Sequence, residues 1–355
     1  MPARKGGHPV AWYKRFNIDL FLPGSNDLGV CAFYAWMIPL MVLARGASLS
    51  DRLLTITACG AIVVSLVWTL AIANRRLAYG PAREIQLSEE VVVITGGASG
   101  LGLLLAETFG MRGASVAVLD LKEQDEAKGV SFYKCDVSER CELEDVANRI
   151  TDELGTPTIL INNAGVVNGK RLLDLSSSEI DSNFRVNLLA HFHTIQVFLP
   201  KMVQSLTGGT IVTISSVLAH LGAARLSDYT AAKSGLIAMH ASLRAELNEM
   251  TDVGAKNVRT ILVTPGQLGT DMFEGVETPS SFFGPIVEPL DLVKKIVDMV
   301  QAGYSGELSI PAYARYIKWY GVLPASLQRV VRWMSGVDKA MAGFKKPAKT
   351  SDREE

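Results

Sequence analysis

Two patterns of hydrophobic positions divide the chain. The first quarter holds two apolar runs without a charge: Leu28–Ala44, 17 residues broken by Pro39, and Leu53–Ala73, 21 residues. As a helix the second run is about 31 Å long, which matches the hydrocarbon core of a bilayer. Beyond Pro81, short apolar runs alternate with amphipathic stretches. The runs Val91–Thr95, Ser115–Asp120, Ser131–Cys135, Thr158–Asn162, Thr210–Ser215, Val258–Val263 and Glu307–Ile310 predict strands. Helical periodicity falls at 101–111, 138–153, 181–205, 229–250 and 289–302. Near-continuous apolar strands alternating with helices predict an α/β fold with a doubly wound parallel sheet in a single Rossmann-like domain.

The expected organisation has six parts: a basic segment at 1–27, a membrane hairpin at 28–73 (arms 28–44 and 53–73), a linker at 74–87, the α/β domain at 88–310, an amphipathic aromatic and basic segment at 311–337, and a polar tail at 338–355, disordered from Lys345 on. Charge follows this division. Residues 1–84 carry nine Lys/Arg and four Asp/Glu, residues 85–310 carry 17 and 28, and residues 311–355 carry nine and four, for a net charge of −1. An acidic middle between basic ends excludes a nucleic-acid binder and suits an anionic membrane surface. Arg4, Lys5, Lys14 and Arg15 precede the first run, and Arg75, Arg76 and Arg83 follow the second, against Arg45 and Arg52 in the turn. The positive-inside rule then puts both ends in the cytosol, whether the hairpin spans the bilayer or enters one leaflet. The aromatic stretch Ile310–Val337 reads as an interfacial helix, or as one packed on the core or a dimer partner. No metal is expected. Cys31, Cys59, Cys135 and Cys141 lack metal-ligand spacing, and His191 and His193 lie two apart on different faces of a helix.

The first strand ends in Thr95-Gly96-Gly97-Ala98-Ser99-Gly100-Leu101-Gly102 and opens a helix. Glycines there allow a tight turn and bring backbone N–H groups to a pyrophosphate, with the helix dipole favouring its charge. Asp120 stands 18 residues beyond Gly102 at a strand end, where its carboxylate can accept both hydroxyls of an adenosine ribose and repel a 2′-phosphate. NAD is expected over NADP, with Lys122 the one nearby cation able to soften that repulsion. Further on, Tyr229 and Lys233 share a helix face at i, i+4. A cation beside a phenol pulls its pKa down from about 10, making Tyr229 a general acid/base for a carbonyl or alcohol oxygen.

Taken together, Thr95-Gly-x-x-x-Gly-x-Gly102, Asn162-Asn163-Ala164-Gly165, Ser216 thirteen residues before Tyr229, Lys233 and Pro265-Gly266 resemble the short-chain dehydrogenase/reductase family over roughly 88–310. The resemblance implies Ser216 as the hydroxyl that orients the substrate, Tyr229 as proton donor or acceptor, and Lys233 as the group that binds the nicotinamide ribose and lowers the tyrosine pKa. Asn187 matches the asparagine that holds a relay water, Asp136 an adenine contact, Asn163 the residue packing cofactor to sheet, and Thr270 a carboxamide contact. Thr95, Gly96, Ser99, Gly100 and Gly102 form the expected cofactor loop. Ser215, fourteen residues before Tyr229, competes with Ser216, which is preferred.

The N-terminal apolar runs, Asn187-Leu-Leu-Ala-His-Phe192 and the stretch from Ile310-Pro311 through Leu323-Pro324 resemble the membrane-bound branch of retinol dehydrogenases and lipid-droplet 17β-hydroxysteroid dehydrogenases. That implies an enzyme of endoplasmic reticulum or lipid droplet, facing the cytosol and forming a homo-oligomer. It would transfer hydride between NAD and a lipophilic alcohol or ketone such as a retinoid or steroid. Met272, Phe273, Phe282 and Phe283 in the stretch 267–289 are expected to cover an apolar substrate. His220 either lines the cleft or is a plain loop residue. The alternatives are an NADPH-dependent 3-ketosphinganine-type reductase, which Asp120 argues against, and a non-catalytic membrane scaffold.

Overall fold

The computed structural model describes residues 27–48, 50–122, 129–273, 275–276 and 284–344. The chain divides after Pro81 into two compact units. The first contains helices α1 (Asp27–Ala44) and α2 (Arg52–Tyr79), packed on each other. Small residues mark the contact: Ala32 and Ala61 are buried, and the Trp36 indole donates to the Ser65 hydroxyl at 2.9 Å. Asp51 caps α2 by accepting from the Leu53 amide at 2.8 Å. Nearly every other apolar side chain of the pair is exposed. Among the described residues, α2 is the one helix long and apolar enough to cross a membrane. It runs six residues past Ala73, so the expected linker at 74–87 begins as helix. Hydrogen bonding continues through that part, ending where the Gly80 amide donates to Arg76 O.

The second unit is built on a seven-stranded, all-parallel sheet. Strands β1 (Val91–Thr95), β2 (Ser115–Asp120) and β3 (Val130–Lys134) alternate with α3 (Gly100–Met111). After α4 (Arg140–Leu154) and β4 (Ile159–Asn162) come α5 (Ser177–Phe184) and α6 (Ala190–Gln204), then β5 (Thr210–Ile214). The short α7 (Leu218–Leu221) and long α8 (Ser227–Glu249) lead to β6 (Arg259–Pro265), α9 (Pro289–Gln301) and β7 (Gly306–Ile310). The strand order is β3-β2-β1-β4-β5-β6-β7, so the winding reverses between β1 and β4. Open sheets of this kind leave their ligand crevice at that switch point, beyond the carboxyl ends of the strands.

Strand residues are apolar throughout because helices cover both faces. Val91 and Val93 point into one core with Leu143, Ile150, Phe198 and Met202, while Val92 and Ile94 point into the other with Leu105, Phe109, Ile296 and Val300. The helix expected at 181–205 is two helices, α5 beginning at Ser177 under a Ser176–Glu179 capping box, joined to α6 by a π-helical turn at Arg185–Leu189.

The stretch after β7 differs from a single amphipathic helix. It consists of 3₁₀ turns at Ala312–Arg315 and Ile317–Val322, then α10 (Ala325–Ser335). The polar tail expected from 338 is not polar at its start. Met341 is buried and Phe344 packs beside it, because these two side chains complete an apolar cluster around Tyr229. Residues 345–355 lie outside the described residues, as do Phe282 and Phe283.

Candidate active site

The crevice is built from strand ends. Thr95 closes β1, and its buried hydroxyl accepts from the Asn163 amide at 3.0 Å and the Ala164 amide at 3.1 Å. The Asn163 side chain answers by donating to Thr95 O at 3.1 Å and Gly96 O at 3.0 Å. These bonds clamp β1 to β4 across the switch point. These side chains hold the loop in place.

That loop tolerates no side chains where it turns. Gly96 has φ +66° and faces Ala164, and a Cβ on Gly102 would lie 2.2 Å from Gly96 O. Ser99 and Gly100 stay exposed at the start of α3, with Thr270 about a methyl's distance from Gly100. Asp120 reaches the same loop from the end of β2. One carboxylate oxygen accepts from the Ala98 amide at 2.9 Å and the other from the Lys122 amide at 3.2 Å. Asp136 turns to its own chain, accepting from the Ser138 amide at 2.9 Å and the Ser138 hydroxyl at 2.7 Å.

Tyr229 and Lys233 are 5% and 3% exposed on the first turns of α8. Lys233 Nζ donates to Ile214 O, the last carbonyl of β5, at 2.9 Å and lies 5.8 Å from the centre of the Tyr229 ring. The two serines separate here. The Ser215 hydroxyl donates to Lys233 O at 2.9 Å, whereas the Ser216 hydroxyl accepts from the Leu218 amide at 3.2 Å and acts on the Tyr229 phenol in favour of its charged form. Asn187 is fully buried in the π-helical turn. Its carbonyl accepts from the Val166 amide at 3.0 Å, and its amide donates to Val166 O at 2.8 Å and Asn183 at 2.9 Å. Gly165 lies between Asn187 and Lys233, where a Cβ would crowd the Asn187 side-chain oxygen at 3.0 Å.

Burial pushes Tyr229 up to about 12, opposed by the Ser216 hydroxyl, while Lys233 Nζ is bonded to Ile214 O. Burial also lowers Lys233 to about 8.

Sequence reasoning missed several supports. Asp228 is buried, accepting from the Tyr229 amide at 2.8 Å and from the Asn168 side chain at 2.8 Å, so it fixes the start of α8. An acid in a helix's first turn was the available signal. Phe273 meets the Tyr229 ring edge-on at 6.0 Å, in line with the cover expected of 267–289, but Met341 and Phe344 carried no signal in the linear sequence. His220 is half-buried in α7, where burial lowers its pKa. His191 is buried with neither ring nitrogen hydrogen-bonded, and no metal-ligand cluster occurs among the described residues.

Known proteins place this geometry. A family profile described as short chain dehydrogenase matches residues 90–280. An uncharacterized oxidoreductase of Saccharomyces cerevisiae is 32% identical over 312 residues, covering 84% of this chain and 93% of that protein. Human epidermal retinol dehydrogenase 2 is 33% identical over 277 residues, 74% of this chain and 88% of its own. In ligand-free form, the aldohexose dehydrogenase of Thermoplasma acidophilum shares the fold at a TM-score of 0.55 and 23% identity, over 65% of this chain and 95% of that one. A glycine turn clamped at the switch point and a Ser–Tyr–Lys set just past β5 and on α8 thus come with the matching sequence: the chain belongs to the short-chain dehydrogenase family of oxidoreductases and resembles its retinol dehydrogenase branch.

Proposed function

We propose that the protein is a membrane-anchored, NAD-linked dehydrogenase or reductase of a lipophilic alcohol or ketone, with Tyr229 moving the proton. The observation that carries this reading is Tyr229 and Lys233 buried together beside the end of β5, with Lys233 Nζ 5.8 Å from the centre of the tyrosine ring, while Ser215 is spent on Lys233 O and leaves Ser216 as the candidate serine. Ser216 would orient the substrate oxygen. Tyr229 holds its proton at neutral pH and would donate it to a carbonyl oxygen; in the reverse direction the same phenol oxygen takes the alcohol's proton. Lys233 would bind a ribose hydroxyl and place positive charge behind the phenol, and Asn187 would hold the backbone of Val166 beside it.

The fold family implies a nicotinamide cofactor, which supplies hydride transfer when bound. The residues fit it: the turn is free of side chains, the exposed Ser99 and Gly100 open a twelve-residue helix, and Asp120 stands at the next strand end. Backbone of Gly96 to Gly102 would hold the phosphates, Asp120 the adenosine ribose, Asp136 the adenine and Thr270 the carboxamide. Asp120 favours NAD over NADP.

The substrate class rests on three supports. The relatives include retinol dehydrogenases, α2 is long and apolar enough to cross a membrane, and Met272, Phe273 and Met341 pack beside Tyr229. Anchoring would keep the catalytic unit at a cytosolic membrane face of endoplasmic reticulum or lipid droplet.

Oxidation of a panel of lipophilic alcohols, with wild type and Tyr229→Phe in the same vesicles, tests the reading. Tyr229→Phe should lose turnover about a thousandfold and still bind NAD. Substantial turnover by the variant would overturn the assignment of the proton to Tyr229, and activity confined to polar sugars would overturn the substrate class.

A further inference from the structure

Helix α10 is folded inside out compared with an ordinary surface helix. Its inward stripe is Gln328, Val331, Arg332 and Ser335, at the i, i+3, i+4, i+7 spacing of one face. Three of these four are polar and bonded. Gln328 donates to Leu323 O at 2.8 Å, and Ser335 donates to Arg332 O at 3.2 Å. Arg332 donates to Leu221 O at 2.9 Å and forms an ion pair with Asp338. The outward stripe is Leu327, Val330, Trp333 and Met334, with Trp333 81% exposed and Met334 61%. Trp319 and Val322, in the turn just before, are also exposed. Apolar side chains clustered outward on a helix mark a surface that something covers.

Charge selects the occupant. Residues 311–344 carry five Lys/Arg against Asp338 alone, and Asp338 is taken by Arg332. Arg329 stands exposed one turn from Trp333 and Lys339 is exposed just past α10, while Lys318 is paired with Glu307 of β7 at 3.5 Å. A second copy would set this basic patch against itself across a two-fold axis, which is repulsive. An anionic bilayer accepts both features: the acyl boundary takes the aliphatic side chains, Trp lies at the headgroup level, and Arg/Lys meet phosphate.

The helix is attached to the wall of the catalytic crevice. Leu221, whose carbonyl holds Arg332, lies five residues after Ser216, and the 3₁₀ turn Ile317–Val322 packs on α7. Past α10, Arg225 donates to Met341 O at 3.4 Å, and Met341 touches the apolar cluster around Tyr229. We propose that α10 lies in the headgroup layer of an anionic phospholipid bilayer with its apolar stripe inward to the lipid, holding the mouth of the Tyr229 crevice at the membrane surface. This rests on the reading of the chain as membrane-anchored and adds a second, peripheral contact to it.

The test uses the full chain in phosphatidylcholine vesicles with and without phosphatidylserine, their acyl chains brominated to quench nearby indoles. The Trp333 signal is the difference between wild type and Trp333→Phe. It should be quenched about twofold or more with phosphatidylserine and less without it, and a Val330→Glu/Met334→Glu variant should abolish the quenching. The same variant should oxidise a bilayer-dissolved alcohol about tenfold more slowly while retaining its rate on a short water-soluble one. An unquenched Trp333 in protein that floats with the vesicles overturns the docking and leaves the anchor. A chain that fails to float removes the anchor as well. Trp333 shielded by a dimer that the double variant dissociates would make the occupant a second copy and overturn the proposal.

Discussion

Two buried cations stand at opposite ends of the same five-residue strand and are handled in opposite ways. At the start of β5, Arg83 is within 3.4 Å of the Thr210 hydroxyl and donates to Thr207 O at 2.8 Å. Its Nη2 straddles both oxygens of Glu90 at 2.9 Å, with both side chains buried. At the end of β5, Lys233 donates to the carbonyl of Ile214 and forms no ion pair with a carboxylate among the described residues. One cation is neutralised where it is buried, and the other is left to answer to whatever enters the crevice. A neutralised charge holds structure together, whereas an uncompensated one stores the capacity to bind or to move a proton. Arg83, which follows the second apolar run in the sequence, is thus a core residue paired with Glu90.

Removing the partner at the structural end should have the largest effect. Glu90→Ala leaves Arg83 buried without a countercharge and should cost about 3–5 kcal/mol of unfolding free energy by denaturant titration, with kcat of the folded enzyme unchanged. A loss below about 1 kcal/mol would mean that Thr207 and Thr210 satisfy Arg83 alone and that the two cations are alike.

At the other end of β5 the opposite division is expected. Lys233→Met should cut kcat/KM about a hundredfold, or about 2.7 kcal/mol, while leaving stability unchanged or slightly raised. An uncompensated charge leaves the interior and an apolar chain of similar length replaces it. Destabilisation as large as that of Glu90→Ala would break the comparison.

A pH series sharpens it. Burial lowers Lys233 from 10.5 to about 8, so between those values the unfolded chain holds a proton that the folded one has lost. The stability of the wild type should therefore rise with pH from about 8 to 10 relative to Lys233→Met, by at most about 1.4 kcal/mol per unit. Tyr229, raised to about 12, has the opposite sign but acts only above its ordinary 10 and is common to both proteins. A flat difference would mean that water or a partner compensates Lys233.

The smallest effect concerns the anion at the same edge. Asp120→Ala should erode the preference of kcat/KM for NAD over NADP by about tenfold, or about 1.4 kcal/mol. Because Asp120 also receives the Ala98 amide, affinity for both cofactors should weaken together. A wild type that prefers NADP would show Lys122 prevailing over the carboxylate.

Much of this was legible in the linear chain. The strands were placed within two residues because helices cover both faces of the sheet, so each strand reads as an unbroken apolar run. The glycine turn and the Tyr229–Lys233 pair were equally readable, since both depend on neighbours fewer than ten residues away. The break of the helix after Ser177 into α5, a π-helical turn and α6 was not, because the apolar period runs on through it while Asn187 is drawn to Val166.

Local pattern thus determined the elements, their parallel winding, the apolar N-terminal helices and the set of side chains available for chemistry. Only tertiary structure decided how those side chains are used. Ser215 and Ser216 are adjacent and chemically identical, yet the chain leaving β5 turns one to donate to Lys233 O and the other to accept from the Leu218 amide. Arg83 became a core residue through Glu90, and Met341 and Phe344 became part of the Tyr229 pocket from more than a hundred residues away. The tyrosine's rise to about 12 follows the same logic. Spacing along a helix states which charge is near, but desolvation depends on everything else that closes around the group, and here burial prevails.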